Sequence, residues 1–331
     1  MGREGGATVE DVTGPEAVSR SATLGLRVVL ALGCMLTVAP LLAWVQELGS
    51  FTTWFVVCTV PALTAVIVTL VWFARSGRFP DTVMAAKAGI VGGLLGTIAY
   101  DLVRLPAVAL GRQVLAPIDS YGVLLLSAPA SSSVTGFAGW AFHLQNGVFF
   151  GLAYALVAAG ARIRWAVLFA LVLESGAVFG GFADFYHLRG EWALIAIAYA
   201  AHVPYGLALG WMTESPARRM EPWERSLGAP IVVCLGVVLV ALVLWQQPFA
   251  VAESSAIELR SGDFHPQWAR VATGHCVAVT NRDTSTAALE DGPSISSGAT
   301  ARLCPTGAGV HRVKVGGRAG SGGFVIVDPA G

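Results

Sequence analysis

The chain of 331 residues is 55% hydrophobic and only 13% charged, and its formal net charge is zero. Soluble globular proteins carry roughly 25% charged residues. This composition, with a mean hydropathy of +0.65, therefore predicts a protein whose main partner is the lipid bilayer. The zero net charge excludes the basic footprint that a nucleic-acid partner requires. Lysine accounts for only two of the 21 basic residues, a bias that indicates a bacterial source.

Seven apolar runs are long enough to cross a bilayer, since a spanning helix needs about 20 apolar residues. They follow a polar tail at residues 1–23 and are separated by short polar connectors. The runs lie at 24–46, 51–74, 84–107, 134–159, 164–185, 190–213 and 228–249. The first run is too long for the core of a signal peptide, so we expect an uncleaved span. The sequence predicts an α-helical polytopic bundle of about seven helices over residues 24–250.

The basic residues of the connectors alternate between the two ends of the predicted bundle. Every second connector holds few of them, with only Arg112 in the third loop and Arg189 in the fifth. The basic residues of the other connectors are Arg20, Arg27, Arg75, Arg78, Lys87, Arg162, Arg164, Arg218, Arg219 and Arg225. By the positive-inside rule, this pattern predicts a multi-pass protein of the cell membrane with a cytoplasmic N-terminus and an extracytoplasmic C-terminus.

Two hairpins of the bundle, at about 84–159 and 164–213, contain similar motifs. The motif Asp-x-x-(Arg/His)-Leu lies near the outer membrane edge and contains Asp101 and Arg104 in the first hairpin, and Asp184 and His187 in the second. The motif His-x3-Gly-x3-Gly follows on the next helix, with His143, Gly147 and Gly151 in the first hairpin, and His202, Gly206 and Gly210 in the second. We predict an internal duplication with parallel repeats. The abundance of glycine leaves a chance agreement as the alternative.

The spacing of the second motif indicates where its histidines point. Positions i, i+4 and i+8 share one face of a helix, and glycine on that face lets two helices approach closely. Each imidazole is therefore expected to point into the bundle, where ionisable residues are costly and are functional candidates. The candidate intramembrane polar or metal site consists of Asp101, His143, Glu174, Asp184 and His202, with Arg104 and His187 at its rim. Asp101 with His143, and Asp184 with His202, form equivalent pairs in this interpretation.

Several kinds of chemistry fit these residue types. Imidazoles and carboxylates together suit a transition metal, and the same groups could relay protons or an ion from outside to mid-membrane. Two histidines on neighbouring helices could also hold a haem axially. A purely structural role is the remaining alternative, in which Asp101 pairs with Arg104 one turn later and each histidine donates to a carbonyl across a packed interface.

From about residue 254, short alternating apolar runs separated by Gly, Asp, Ser and Pro replace the long hydrophobic stretches, as in a small all-β domain. The predicted strands are Ala256–Arg260, Trp268–Ala272, Cys276–Thr280, Thr300–Cys304, Val310–Val315 and Gly323–Val327. The segments that carry a family resemblance are Ile257–Pro266, Val271–Gly274, Val277–Asp283, Ile295–Gly298, Pro305–His311 and Gly323–Val327. In order and spacing they resemble a cupredoxin domain, which implies a small extracytoplasmic β-sandwich at 254–331.

The copper ligands of that family are missing. Cupredoxins bind type 1 copper through two His and a Cys, often with a Met. No His follows Asp283 in the adjacent segment, and the turn at 315–323 contains no Cys, His or Met. Type 1 copper is therefore not expected. The strand order of the family implies that Cys276 and Cys304 lie side by side, and an oxidising compartment would favour a disulfide between them.

Three functions are consistent with the sequence. The first is an integral membrane protein whose non-catalytic extracytoplasmic domain binds a protein partner, as an accessory to a respiratory or metal-handling membrane system. The second is an ion- or proton-coupled transporter that uses the inward-facing His, Asp and Glu residues. The third is an intramembrane redox protein that binds a metal or haem. No nucleophile motif, P-loop or dinucleotide fingerprint is present, so an enzyme is not expected.

Overall fold

A computed structural model describes the chain as a helical region followed by a β region. The described residues are 15–110, 118–126, 133–183, 185, 186, 188, 190–222, 256–261, 263–266, 268–290, 292–316 and 322–328. The seventh predicted span, at 228–249, lies outside the described residues. So do Asp184 and His187 of the candidate site.

The described part of the helical region contains ten α-helices. They are α1 Pro15–Met35, α2 Ala39–Val45, α3 Phe51–Trp54, α4 Val60–Ser76, α5 Pro80–Ala109, α6 Ile118–Leu126, α7 Ser133–Ala158, α8 Ile163–Phe179, α9 Trp192–Thr213 and α10 Pro216–Pro222. By length and composition, five described segments could cross a membrane: Ala22–Val45, Phe51–Ser76, Pro80–Val108, Val134–Ala158 and Trp192–Thr213. These segments indicate a multi-pass membrane protein.

A proline interrupts each of the first two spans. A single 3-10 turn joins α1 to α2, because Pro40 has no N–H to donate to the carbonyl of Leu36. A π-helical turn that ends at Thr59, just before Pro61, joins α3 to α4. The Thr59 hydroxyl donates to the Leu36 carbonyl at 2.8 Å. The two interruptions therefore lie against each other, and the hydroxyl is a second donor to the Leu36 carbonyl, which also accepts from the Ala39 N–H of the 3-10 turn.

The helix in the fifth predicted span is shorter than the apolar run at 164–185. α8 has 17 residues and ends at Phe179, a length of about 25 Å, whereas the hydrocarbon core of a bilayer is about 30 Å thick. Gly180 and Gly181 follow directly, and glycine is a poor helix former. The chain then forms bends and turns as far as Ala183. Apolar residues alone therefore overestimated the length of this helix.

Helix α5 lies between α7 and α9 and contacts both through glycines. A Cβ built on Gly93 would lie 3.0 Å from Cα of Val148 on α7. One built on Gly96 would lie 3.0 Å from the carbonyl oxygen of Tyr205 on α9. Any larger residue at these positions would push the helices apart. The motif Gly89-x-x-x-Gly93 therefore packs against α7, and the interleaved motif Gly92-x-x-x-Gly96 packs against α9.

Nine strands form the described β region. They are β1 Ala256–Arg260, β2 Asp263–His265, β3 Trp268–Ala272, β4 Val277–Asn281, β5 Ala287–Ala288, β6 Ser294–Ile295, β7 Thr300–Leu303, β8 Gly309–Lys314 and β9 Gly322–Asp328. Four form a sheet in the order β2-β1-β4-β7, three form a sheet in the order β3-β9-β8, and β5 pairs with β6. Buried residues of both larger sheets share one hydrophobic core, with Val279 and Val325 fully buried. Six of these strands, namely β1, β3, β4, β7, β8 and β9, coincide with the predicted ones to within one or two residues, whereas β2, β5 and β6 were not predicted.

The predicted disulfide between Cys276 and Cys304 is present. Strands β4 and β7 are antiparallel, and Val277 lies opposite Leu303. One further step in this register places the two cysteines opposite each other, because one precedes β4 and the other follows β7.

The sheet β3-β9-β8 packs against the end of the helical bundle at which α2 ends and α3 begins. The rings of Trp268 and Phe324 stack at 4.5 Å between centroids, and Phe185 meets both rings edge-on, at 5.6 and 5.5 Å. Trp44 of α2 also contacts Phe185, at 5.6 Å. The Arg312 guanidinium donates a hydrogen bond of 3.1 Å to the backbone carbonyl of Val45, which follows Trp44 at the end of α2. The β region therefore covers this end of the bundle.

Candidate functional site

A cavity of about 310 Å³ lies inside the helical bundle, beneath the covered end. Residues of α1, α5, α6, α7, α8 and α9 line it, together with Phe182 and Tyr186 from the turns after α8. Three members of the predicted site, His143, Glu174 and His202, are in its wall. Most of the other lining side chains are aromatic or aliphatic. The volume is at the lower end of the range found for small-molecule pockets, about 300–1,000 Å³.

The first acid–imidazole pair joins α5 to α7. The Nε2 atom of His143 lies 2.9 Å from Oδ2 of Asp101. The Nε atom of Arg104 donates to the other carboxylate oxygen at 3.1 Å. A guanidinium is always charged, so Asp101 is the anion of a buried pair and accepts from both neighbours. His143 therefore has its proton on Nε2 and a lone pair on Nδ1. This cluster is electrically neutral, with Arg104 only 4% exposed.

The second pair joins α8 to α9. The Nδ1 atom of His202 lies 2.9 Å from the carbonyl oxygen of Ala198 and 3.2 Å from Oε2 of Glu174. A carbonyl oxygen can only accept, so Nδ1 carries the proton and Nε2 of the neutral ring has a lone pair. Glu174 is 1% exposed, and its Oε1 atom has no hydrogen-bond partner among the described residues. No Lys or Arg of the described chain lies within 4 Å of this carboxylate.

The glycine faces meet the helices that carry the acids. A Cβ on Gly147 would overlap the Thr97 hydroxyl of α5, and one on Gly151 would lie 2.5 Å from Cα of Gly93. On α9, a Cβ on Gly206 would lie 2.5 Å from Cα of Val167 of α8, and one on Gly210 would lie 2.5 Å from Cγ1 of Ile163. In both hairpins the His-x3-Gly-x3-Gly face therefore packs against the helix that carries the acid, α5 in the first hairpin and α8 in the second, and this packing turns the histidine inward.

Tyr100 lies between the two pairs. Its ring centroid is 5.0 Å from that of His202 and 6.0 Å from that of His143. Its hydroxyl is buried without a hydrogen-bond partner among the described residues. Tyr205 lies one turn from His202 and donates its hydroxyl proton to the carbonyl oxygen of Gly147 at 2.8 Å, which ties α9 to α7. Aromatic rings thus separate the imidazoles and form much of the cavity wall.

The structure brings together five of the seven ionisable residues predicted for the site and its rim, because Asp184 and His187 lie outside the described residues. The partner of His202 is Glu174, whereas the sequence analysis paired His202 with Asp184. Tyr100 was not predicted, although it directly precedes Asp101 in the sequence. In the described part of the chain, no three His, Cys, Asp or Glu residues lie close enough together to hold a metal ion.

Comparison of the chain with protein-family models, curated proteins and solved structures finds no match.

Proposed function

We propose that this protein is a membrane carrier that exchanges a proton for a cation at Glu174. The observation that carries the proposal is a buried carboxylate in the wall of a cavity, one of whose oxygens has no hydrogen-bond partner among the described residues. Its only ionic contact within 4 Å among the described residues is His202. A carboxylate in a low-dielectric interior is strongly disfavoured without a positive partner. Glu174 therefore holds a proton when the cavity is empty, or a bound cation in its place.

A proton and a cation cannot occupy Glu174 at the same time, and this competition links the binding of one to the release of the other. A proton on Glu174 removes the negative charge that attracts a cation, and a cation beside the carboxylate favours loss of the proton. Binding of one species therefore promotes release of the other, which is the thermodynamic basis of exchange. His202 is placed to assist, because its Nε2 lone pair can accept a proton while Nδ1 remains bonded to Ala198. The Asp101–Arg104 pair positions His143 and is already neutral.

The rest of the chain has a supporting role in this proposal. The alternation of basic connectors supports a cytoplasmic N-terminus and a β region outside a bacterial cell membrane. We regard the β region as cupredoxin-like but without type 1 copper, and as a cover for the outer end of the bundle. Intramembrane metal or haem binding is less well supported, because the ring of Tyr100 lies between the two imidazoles.

A partner-binding role for the β region is a second candidate. Docking on the bundle uses the sheet β3-β9-β8. The other sheet carries a group of exposed charges in which Glu258 pairs with Arg260 and Arg282. Arg260 and Arg282 side chains are 61% and 54% exposed, and so are accessible to a protein partner. Cross-linking of membranes that carry the Arg260→Ala/Arg282→Ala variant would test this role, because a specific cross-linked partner should then be lost.

Proteoliposomes that contain a pH-sensitive dye test the exchange. Addition of sodium, potassium or ethylammonium chloride outside should change the internal pH faster in the wild type than in protein-free liposomes, which report passive leakage. Glu174→Gln keeps the side-chain shape but cannot ionise, so exchange should be lost. Glu258→Gln is the matched control, because it makes the same change on the exposed face of the β region. Wild-type liposomes that respond to none of these salts would contradict the proposal.

A further inference from the structure

We infer that the cavity takes up an uncharged molecule from the lipid bilayer, one with an apolar body and a carbonyl group. This second class of ligand goes beyond the proposed exchange at Glu174 and does not depend on it. Two features of the described residues carry the inference. The cavity continues to the outer surface of α8 at the depth of the hydrocarbon core, and a neutral hydrogen-bond donor, the side-chain amide of Asn146, lies in its wall.

The cavity continues around α8 from the interior of the bundle to the outer surface of this helix. At about 100° per residue, its lining residues on α8 follow one another around the helix in the order Val172, Gly176, Leu173, Ala177 and Glu174. Val172 is 59% exposed and Glu174 is 1% exposed, and the residues between them change from exposed to half-buried in the same order. The wall is therefore continuous over about 200° of the helix. Among the described residues, the cavity opens sideways at the outer face of α8.

The opening lies at the depth of the hydrocarbon core. Met35 lines the cavity and lies within the candidate membrane span Ala22–Val45. Asn146 lines it at the midpoint of the candidate span Val134–Ala158. Val172 follows the first residue of α8 by nine positions, which is about 14 Å along the helix and about half of the hydrocarbon thickness. Molecules that reach such an opening come from the lipid, where a charge is costly, so we expect an uncharged ligand.

The side-chain amide of Asn146 supplies two N–H donors in the cavity wall. The buried Thr37 hydroxyl accepts from Nε2 of Gln145 at 2.9 Å and donates to Oδ1 of Asn146 at 2.6 Å. This contact directs Oδ1 towards Thr37 and leaves Nδ2, whose N–H groups have no acceptor among the described residues. Unlike Oε1 of Glu174, this unpartnered atom is not fully buried. A donor without an acceptor in an apolar wall is costly, and a carbonyl oxygen satisfies it without adding a charge.

The rest of the wall favours a compact body that contains rings. Phe150, Phe182 and Tyr205 line the cavity with aromatic rings, and aromatic rings pack against one another in stacked or edge-on contacts. No Lys or Arg is among the described lining residues, so an anion would lack a positive partner there. The volume of about 310 Å³ is at the lower end of the range for small-molecule pockets. A compact ketone that carries rings meets each of these conditions.

Photolabelling of the full-length protein in proteoliposomes with benzophenone tests the uptake. Benzophenone is an uncharged aromatic ketone that dissolves in the bilayer. Under near-ultraviolet light its carbonyl carbon bonds to nearby C–H groups, so digestion and mass spectrometry locate the bound molecule. We expect a higher yield of label on Met35 and Leu173, which line the cavity, than on Val68 and Leu102, which are 60% and 72% exposed on the outside of the bundle.

Two competitors of similar shape examine the carbonyl. Dicyclohexyl ketone should displace benzophenone at a concentration about threefold to tenfold lower than dicyclohexylmethane, which has no acceptor. Asn146→Leu should remove this difference, because the donor is lost. Gln145→Leu is the matched control, since Gln145 also binds Thr37 but is not in the described lining of the cavity. The difference between the competitors should remain in this control.

Gly176 tests the opening itself. It lines the cavity on the exposed side of α8, and a Cβ built on it meets no atom within 4 Å among the described residues. Gly176→Phe therefore places a ring in open space at the outer end of the cavity, and phenylalanine favours a helix more than glycine does. Labelling of Leu173 should fall at least about tenfold. Gly25→Phe is the control, because its Cβ also meets open space but lies outside the cavity wall, and it should be labelled as the wild type is.

Three results would overturn the inference. Equal label on the cavity residues and on Val68 and Leu102 would mean that partition into lipid alone accounts for the label. Equal displacement by the two competitors, or unchanged labelling in Gly176→Phe, would remove the carbonyl or the opening from the argument. Cavity residues that stay unlabelled while Val68 is labelled would show that something else fills the opening, such as a second copy of this chain. Labelling of the cavity without any proton exchange would reject only the exchange at Glu174.

Discussion

Both acid–imidazole pairs join the histidine of a His-x3-Gly-x3-Gly face to an acid on the helix that this face packs against, and they differ in their charge balance. In the hairpin of α5 and α7, Arg104 lies one turn from Asp101 on the same helix and neutralises it. In the hairpin of α8 and α9, Glu174 has no guanidinium or ammonium partner among the described residues. The first pair is therefore complete and holds helices together. The second pair lacks a positive charge and keeps a capacity to bind one, so a structural unit and a binding unit can share one helical framework.

The largest expected effect concerns the completed pair. Arg104→Gln leaves Asp101 as a buried anion without its cation, and removing one partner of a buried ion pair costs about 3–5 kcal/mol. Thermal or denaturant unfolding of the detergent-purified protein measures the loss. Glu174→Gln is the matched comparison, because it replaces a carboxyl group that has no fixed cation, and it should not reduce stability. The double variant Asp101→Asn/Arg104→Gln should recover part of the loss, and equal stability of all three variants would remove the distinction between the pairs.

The cover over both pairs depends on the disulfide of the β region. Cys276→Ser together with Cys304→Ser should lower the stability of this region by about 3 kcal/mol, because the link that closes a loop between residues 28 apart is lost. Hydrogen exchange of the backbone amides of β4, β7 and β9 in increasing urea measures the change in this region. Addition of reductant should have this effect in the wild type and none in the double variant. A wild type that is insensitive to reductant would contradict this role of the link.

The glycine faces test whether the two hairpins are equivalent in packing as well as in motif. Gly151→Ala and Gly210→Ala, at equivalent positions of the two motifs, each place a Cβ 2.5 Å from the nearest atom of the facing helix, which is Cα of Gly93 for the first and Cγ1 of Ile163 for the second. Overpacking of this kind costs about 1–3 kcal/mol, and the two losses should be similar if the hairpins are copies of one unit. Gly176→Ala is the control, since its Cβ meets open space and the substitution favours the helix. A large loss at one position and none at the other would argue against equivalence.

Much of the fold could be predicted because it follows from patterns within single segments. The spans follow from apolar length, and the strands of the β region follow from alternation. The Cys276–Cys304 link was predictable only through the resemblance to a family with a known strand order. The end of α8 was overestimated, because hydropathy counts Phe182 and Phe185 as span residues while Gly180 and Gly181 end the helix before them.

The sequence predicted which residues form the site more completely than it predicted which of them contact each other. Inward-facing histidines follow from the glycine spacing, and the Asp101–Arg104 contact follows from a separation of one helical turn. The contact of Glu174 with His202 depends on how α8 and α9 are aligned along their length, which no local pattern reveals. The place of Tyr100 between the histidines depends on the rotation of α5. Docking of the β region has one visible signal, since Trp268 and Phe324 lie opposite each other in paired strands.

The smallest expected effect concerns the ion pair between Glu47 and Lys314, which joins the β region to the end of the bundle. Glu47 accepts a hydrogen bond from the Lys314 ammonium. This bond, the charge of Lys314 and the nearby charge of Arg312 lower the pKa of the Glu47 carboxyl. A lowered pKa means that the contact stabilises the docked state above the unfolded pKa and that its contribution is lost as the pH falls through the lowered value. Because the Glu47 side chain is 60% exposed, solvent screening limits the effect to less than about 1 kcal/mol.

Hydrogen exchange of residues 309–314 should be slightly faster in Glu47→Gln than in the wild type at neutral pH. The difference should vanish in acid, and a difference that persists there would show that the Glu47 charge does not contribute to docking.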